Sequence, residues 1–130
     1  MPITISLVED NHQLRGTLAR LLDCAEGFRC VSQYANAEDA LAGLPKDKPD
    51  VVLMDINLPG MNGIEALRIL RNDVSTAHIP VVALSANAMP RDVKKGLDAG
   101  FFRYLTKPIN VKALLETLDE ALEFGVRATV

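Results

Sequence analysis

The chain has 130 residues, 48% of them hydrophobic and 24% charged, a composition that builds one globular domain and excludes a disordered segment. Its net charge of −3 argues against generic attraction to nucleic acid or to an anionic membrane. No apolar run approaches the roughly 18 residues of a membrane helix, no basic-then-apolar leader opens the chain, and two cysteines, Cys24 and Cys30, are too few for a disulfide framework, so a cytoplasmic protein with free thiols is expected.

Short apolar runs alternate with helical spacings five times. Ile3–Val8 reads as the first strand, and Leu14, Leu18, Leu21 and Leu22 form one helical stripe after it. Arg29–Tyr34 is the second strand, followed by the stripe Ala37, Ala40, Leu41 and Leu44 with Asn36 as its N-cap. Val51–Met54 is the third; the stripe Ile64, Leu67 and Leu70 comes after the Gly60–Gly63 turn. Val81–Leu84 is the fourth, and the helix after it is weaker: Val93 and Leu97, opened by Pro90 and closed near Gly96 or Gly100. Phe102–Leu105 is the fifth, and Val111, Leu114, Leu115, Leu118 and Leu122 make the clearest stripe, capped by Asn110 and ended by Gly125.

The third and fourth runs are continuously apolar, the pattern of strands covered on both faces. Five βα units of this length predict a doubly wound α/β fold of five parallel strands, in the flavodoxin-like order 2-1-3-4-5, with five helices. The domain is expected to occupy residues 1–125, with 126–130 a tail or the start of a linker. In such sheets ligands bind beyond the carboxyl ends of the strands, so the residues just after each strand carry the functional information.

Glu9 and Asp10 follow the first strand, Asp55 ends the third, Ser85 ends the fourth and is followed by Ala86, and Thr106, Lys107 and Pro108 follow the fifth. Three clustered carboxylates are charged at neutral pH and repel one another. One lysine cannot neutralise three anions. A hard divalent cation can do most of it, and Mg²⁺ takes oxygen ligands while keeping several waters. The set therefore calls for Mg²⁺ at Glu9, Asp10 and Asp55, and for a further anion, most naturally a phosphoryl group. Singly, each residue has a plainer reading: a strand-end Asp caps turns, Glu9-Asp10 favours a helix N-terminus, and Lys-Pro is a surface turn. Their joint occurrence, each at the correct strand end, carries the argument.

These residues lie in four stretches: Leu7-Val8-Glu9-Asp10-Asn11, Val52 through Gly63 around Met54-Asp55-Ile56-Asn57, Leu84-Ser85-Ala86, and Gly100 through Pro108 around Tyr104-Leu105-Thr106-Lys107-Pro108. Over essentially its whole length the chain resembles the response-regulator receiver domains of two-component phosphorelays. The resemblance implies a phosphorylation-dependent signalling switch that catalyses only its own phosphorylation and dephosphorylation. It implies Asp55 as phosphoacceptor, Mg²⁺ held by Asp10, Asp55, the backbone carbonyl of Asn57 and, through water, Glu9, with Ser85 and Lys107 on phosphoryl oxygens. Ser85 and Tyr104 would form the switch pair, Tyr104 turning inward on phosphorylation, and Lys107–Pro108 would be cis. The implied partners are a histidine kinase or histidine phosphotransfer protein and a downstream effector or output domain, with no direct nucleic-acid or membrane contact. Leu58 and Asn62 depart from the more usual Met and Asp of the turn, away from the phosphoryl site. Asn87-Ala88-Met89-Pro90 is a form common in hybrid-kinase receivers, whereas the first half looks more like the amino-terminal receiver of a transcriptional regulator. Met1 directly before the first strand fits an amino-terminal receiver, either stand-alone or cut from a longer regulator.

Other features read as structural. His12 and His78 have no ligand spacing to other His or Cys and are expected at the surface or as caps. Cys24 and Cys30 are expected to pack. Gly60 and Gly63 are turn residues, because no Gly-Lys-Ser/Thr follows them as in a P-loop. Arg91, Lys94, Lys95, Arg103 and Lys112, interleaved with Asp92, Asp98, Glu116 and Asp119, are either a solvated face or a partner surface, including a dimer through the fourth helix, fifth strand and fifth helix. Two other functions compete with the switch. An aspartyl phosphatase of the haloacid-dehalogenase type needs an acid two residues after its nucleophile, where this chain has Asn57. A pseudo-receiver binding module usually lacks the acidic pair, acceptor or lysine, all of which are present.

Overall fold

The computed structural model describes residues 2–86 and 89–129, with side chains as far as Glu123. The stretch Asn87-Ala88, part of the hybrid-kinase likeness, lies outside the described residues, as does Val130. In chain order the elements are β1 (Ile3–Val8), α1 (His12–Cys24), β2 (Phe28–Tyr34), α2 (Ala37–Asp47), β3 (Val51–Asp55), α3 (Gly63–Asn72), β4 (Val81–Ser85), α4 (Pro90–Ala99), β5 (Arg103–Thr106) and α5 (Val111–Thr129). The strands form one parallel sheet in the order β2-β1-β3-β4-β5, as the sequence predicts.

Burial follows position in the sheet. Every residue of the central strands β3 and β4 is buried, whereas β2 at one edge alternates between half-buried and exposed and β5 at the other is mostly half-buried or exposed. Successive residues of a strand face opposite sides, so the sheet sorts its side chains into two cores. Val51 and Leu53 join Leu18 and Leu22 of α1 and Leu114 and Leu118 of α5 on one face. Val52 and Met54 join Ala40 and Leu44 of α2 and Leu67 and Leu70 of α3 on the other. Burying a large aliphatic side chain is worth ~1.5–3 kcal/mol, so these two layers hold the sheet.

Four helices open on asparagine. The side chains of Asn11, Asn36, Asn62 and Asn110 accept from the backbone amides of Leu14, Asp39, Glu65 and Ala113, respectively, each such cap being worth about 1 kcal/mol. Asn36 and Asn110 are the predicted ones. The fourth helix opens instead on Pro90 in its first turn and closes at Gly100, whose φ of 117° requires glycine. Gly96 is mid-helix and is the one buried residue of α4.

Element ends differ from the sequence reading by small amounts. The ladder takes in the polar residues Asp55 and Ser85, β2 begins at Phe28, and β5 runs Arg103–Thr106 because pairing with β4 starts at Val82 and Arg103. The last helix does not end at Gly125 but continues to Thr129. Lys107–Pro108 is cis, as expected. The loop after β3 folds back sharply: the Gly63 amide donates to the Ile56 carbonyl at 2.8 Å, and a Cβ on Gly63 would sit 2.8 Å from the Asp55 carbonyl oxygen and from Ile56 Cα. Gly63→Ala is therefore expected to lower stability by about 1–3 kcal/mol, the cost of overpacking against backbone, and to depress the thermal midpoint by several degrees in a melting experiment.

Candidate functional site

The parallel register brings the carboxyl ends of four strands together. Beyond the strands, the Ile56 amide donates to the Leu84 carbonyl at 3.0 Å and the Lys107 amide to the Ser85 carbonyl at 2.8 Å, while the Glu9 amide donates to Tyr34 at 3.0 Å. Glu9, Lys107 and the residue after Asp55 are thus held by backbone bonds to a neighbouring strand.

Glu9 is fully buried and Asp55 is 3% exposed. The Lys107 ammonium stands between them, 2.7 Å from Glu9 Oε1 and 2.9 Å from Asp55 Oδ2. The remaining oxygens are met by backbone: Asn11 N–H donates to Glu9 Oε2 at 3.1 Å, and Asn57 N–H to Asp55 Oδ1 at 2.9 Å. Glu9 Oε1 lacks a directed hydrogen bond; its contact with Lys107 is an ion pair alone. Asp10 is exposed, and one oxygen from each of Glu9, Asp10 and Asp55 falls within 4.8 Å of the others. Three hard oxygen donors, one buried without a directed partner, fit a divalent cation such as Mg²⁺.

Burial pushes the Glu9 carboxyl up to about 7, against the opposing pull of Lys107 and the Asn11 amide. Burial lowers the Lys107 ammonium, but the neighbouring Glu9 and Asp55 carboxylates outweigh this and leave it raised.

A cleft of about 240 Å³ is lined by Ile56 and Asn57, the two residues after Asp55, and by Ser85, Asp92, Lys95 and Tyr104, among others. Ser85 is 2% exposed. Tyr104 is half-buried, with its ring over Gly96: a Cβ there would come within 2.9 Å of the ring.

All the predicted site residues therefore converge: Glu9, Asp10, Asp55 and Lys107 in one cluster, with Asn57, Ser85 and Tyr104 along the adjoining cleft. Of the departures in the turn, Leu58 is buried in the core and Asn62 caps α3 while bordering the cleft. His12 and His78 are exposed, as expected. Cys24 and Cys30 are free thiols; Cys30 is half-buried against the core as expected, whereas Cys24, the last residue of α1, is exposed and does not pack. Arg103 pairs with Glu120 at 3.0 Å and lies over the Phe102 ring. Sequence reasoning missed Arg15, whose guanidinium donates to the Glu9 carbonyl at 2.7 Å and fixes the acidic turn from α1. Its place beside the Leu14–Leu18 stripe is the only trace of this in the sequence.

Residues 5–119 match the family model described as the response regulator receiver domain. The chain is 37% identical to the polar-differentiation response regulator DivK of Brucella anthropi over 94% of its length and 98% of that protein. The chemotaxis response regulator CheY4 of Vibrio cholerae superposes with a TM-score of 0.85 at 28% identity, over 94% of this chain and 100% of that one. The response regulator domain of Thermotoga maritima CheB superposes with a TM-score of 0.84 at 26% identity, over 95% and 98%. The chain belongs to the response-regulator receiver family and is a signalling domain of two-component systems.

A buried carboxyl raised from 4.5 to about 7 is protonated in the folded protein over a range where the unfolded chain has lost the proton. Stability from this group is full below about pH 4.5 and is lost as pH rises through 7, a cost on the order of 1–3 kcal/mol. Glu9→Gln should remove that decline. Urea unfolding of metal-free protein between pH 4.5 and 7.5 is expected to show wild type losing stability relative to the variant; parallel curves would refute the assignment.

Proposed function

We propose that this receiver is switched by phosphorylation of Asp55, taken from a histidine kinase or histidine phosphotransfer protein. The observation that carries the reading is the Lys107 ammonium bridging buried Glu9 and Asp55, with Asp10 beside them and the Ser85 cleft opening next to the acceptor. A carboxylate oxygen of Asp55 attacks the donor phosphorus. The O–P bond forms as the P–N bond breaks, and its electron pair returns to the donor imidazole. The Asn57 amide and Lys107 fix the carboxylate plane from both oxygens, so the nucleophile is aimed before the donor arrives. Lys107 then meets charge developing on the phosphoryl oxygens, and Ser85 takes another oxygen on the cleft side.

Asp10, Asp55, the Asn57 carbonyl and Glu9 would hold Mg²⁺, which when bound supplies further charge stabilisation to the transferring oxygens. Ser85 drawn to the phosphoryl group changes the packing beside Tyr104 and Gly96, and so the surface of α4, β5 and α5 that meets an effector. The receiver is read as spanning residues 1–125.

With a small phosphodonor and Mg²⁺, intact-mass spectrometry should show one phosphoryl group on the wild-type protein and none on Asp55→Asn, whose amide is a poor nucleophile of nearly the same shape. Full incorporation in the variant would sink the acceptor assignment. Turnover of donor without a phosphoprotein would point instead to a hydrolase, and no modification to a binding module.

Mg²⁺ is expected to bind weakly, because few protein ligands are supplied and waters complete the octahedron. Asp10→Ala should weaken it at least about tenfold, read by calorimetric titration; unchanged affinity would remove Asp10 from the site.

A further inference from the structure

Lys95 stands out among the cations of α4. It lines the cleft that contains Asn57 and Ser85, whereas its neighbours Arg91 and Lys94 do not. Among the described residues it has no ion-pair partner, although Asp92, one turn earlier on the same helix, lines the same cleft. The cleft also includes Ile56 and Ile64, apolar surface along which a lysine stem can lie while its ammonium stays at the polar end.

Phosphorylation of Asp55 makes a demand for such a group. It replaces one carboxylate charge by a phosphoryl group of about −2, so the site gains about one negative charge whatever else is bound. Lys107 is already shared between Glu9 and Asp55. The cleft is lined by Asn57 and Ser85 and, among the described residues that line it, Lys95 is the one cation. Asp92 and Lys95 carry opposite formal charges, so the new anion draws the lysine and repels the carboxylate. The helix that carries them buries only Gly96, so a small shift of α4 toward Asp55 uncovers little apolar surface.

We propose that Lys95 is a second cation for the phosphorylated state, pairing with a phosphoryl oxygen on the cleft side and drawing α4 toward Asp55. This rests on the assignment of Asp55 as acceptor. Lys95 is a binding and positioning residue of the charged state, with no part in holding Mg²⁺ before it.

The test uses beryllofluoride, which adds a tetrahedral anion to the acceptor carboxylate, titrated calorimetrically into the whole chain in saturating Mg²⁺. Lys95→Gln should weaken beryllofluoride binding about two- to fivefold, the scale of an exposed charge pair, and leave the affinity for Mg²⁺ alone unchanged. Lys95→Arg should restore most of the loss, and Lys94→Gln should have no effect. Wild-type affinity in Lys95→Gln overturns the proposal. Equal losses in the Lys94 and Lys95 variants overturn it too, since the effect would then be the general field of α4. An equal loss of Mg²⁺ affinity also overturns it, because the damage would not be confined to the phosphoryl side. If wild-type protein neither binds beryllofluoride nor gains phosphate on Asp55, the acceptor assignment itself fails and this inference falls with it, a result distinct from the other three.

Discussion

Two carboxylates buried side by side are a state that water opposes, and in this protein the Lys107 ammonium makes it tenable. It reaches from the end of β5 across β4 to Asp55 on β3 and Glu9 after β1. Removing such a charge from water costs several kcal/mol unless it is paired, so the ends of three strands are bound to one another by a single cation. The sheet cannot lose its register without stranding one of these charges. The same contact keeps the site charged yet compact and leaves Glu9 Oε1 short of a directed partner.

The rest of the molecule serves that arrangement. The two apolar layers hold β3 and β4 so completely that Asp55 and Ser85, polar residues both, are carried into the ladder by the strands that precede them. Arg15 and Asn11, from the start of α1, fasten Glu9 at its backbone and its side chain. The tight return at Gly63 folds the loop after Asp55 beneath the cleft. Chemistry and stability therefore draw on the same few backbone positions.

The fold was legible because it depends on pattern. Continuous apolar runs such as Val51–Met54 mark covered strands, and stripes such as Leu114–Leu118 mark helix faces, whatever the details of packing. The site was legible for a related reason: a parallel sheet sends every strand-end residue to the same edge, so Glu9, Asp10, Asp55, Ser85 and Lys107 had to meet. What escaped were features without a period. The shift of β5 by one residue depends on which β4 residue Arg103 faces. Gly125 looks like a helix stop, but a glycine within a helix costs only about 1 kcal/mol, and α5 runs through it. The division of Lys107 between two carboxylates and the grip of Arg15 on Glu9 depend on rotamers of long side chains, which spacing does not encode.

The seating of α4 on one buried glycine has a consequence for how such a protein can diversify. A helix anchored by a socket of large side chains is committed to its sequence, because each inward change opens a cavity. Here the inward commitment is a single residue with no side chain, and most other positions of the helix face water. Apart from Asp92 and Lys95, which line the cleft, its outward chemistry can be rewritten, charge for charge, with almost no effect on the sheet beneath. The exposed surface of α4 is thereby separated from the buried cluster at the strand ends within one small domain: one can drift while the other stays fixed.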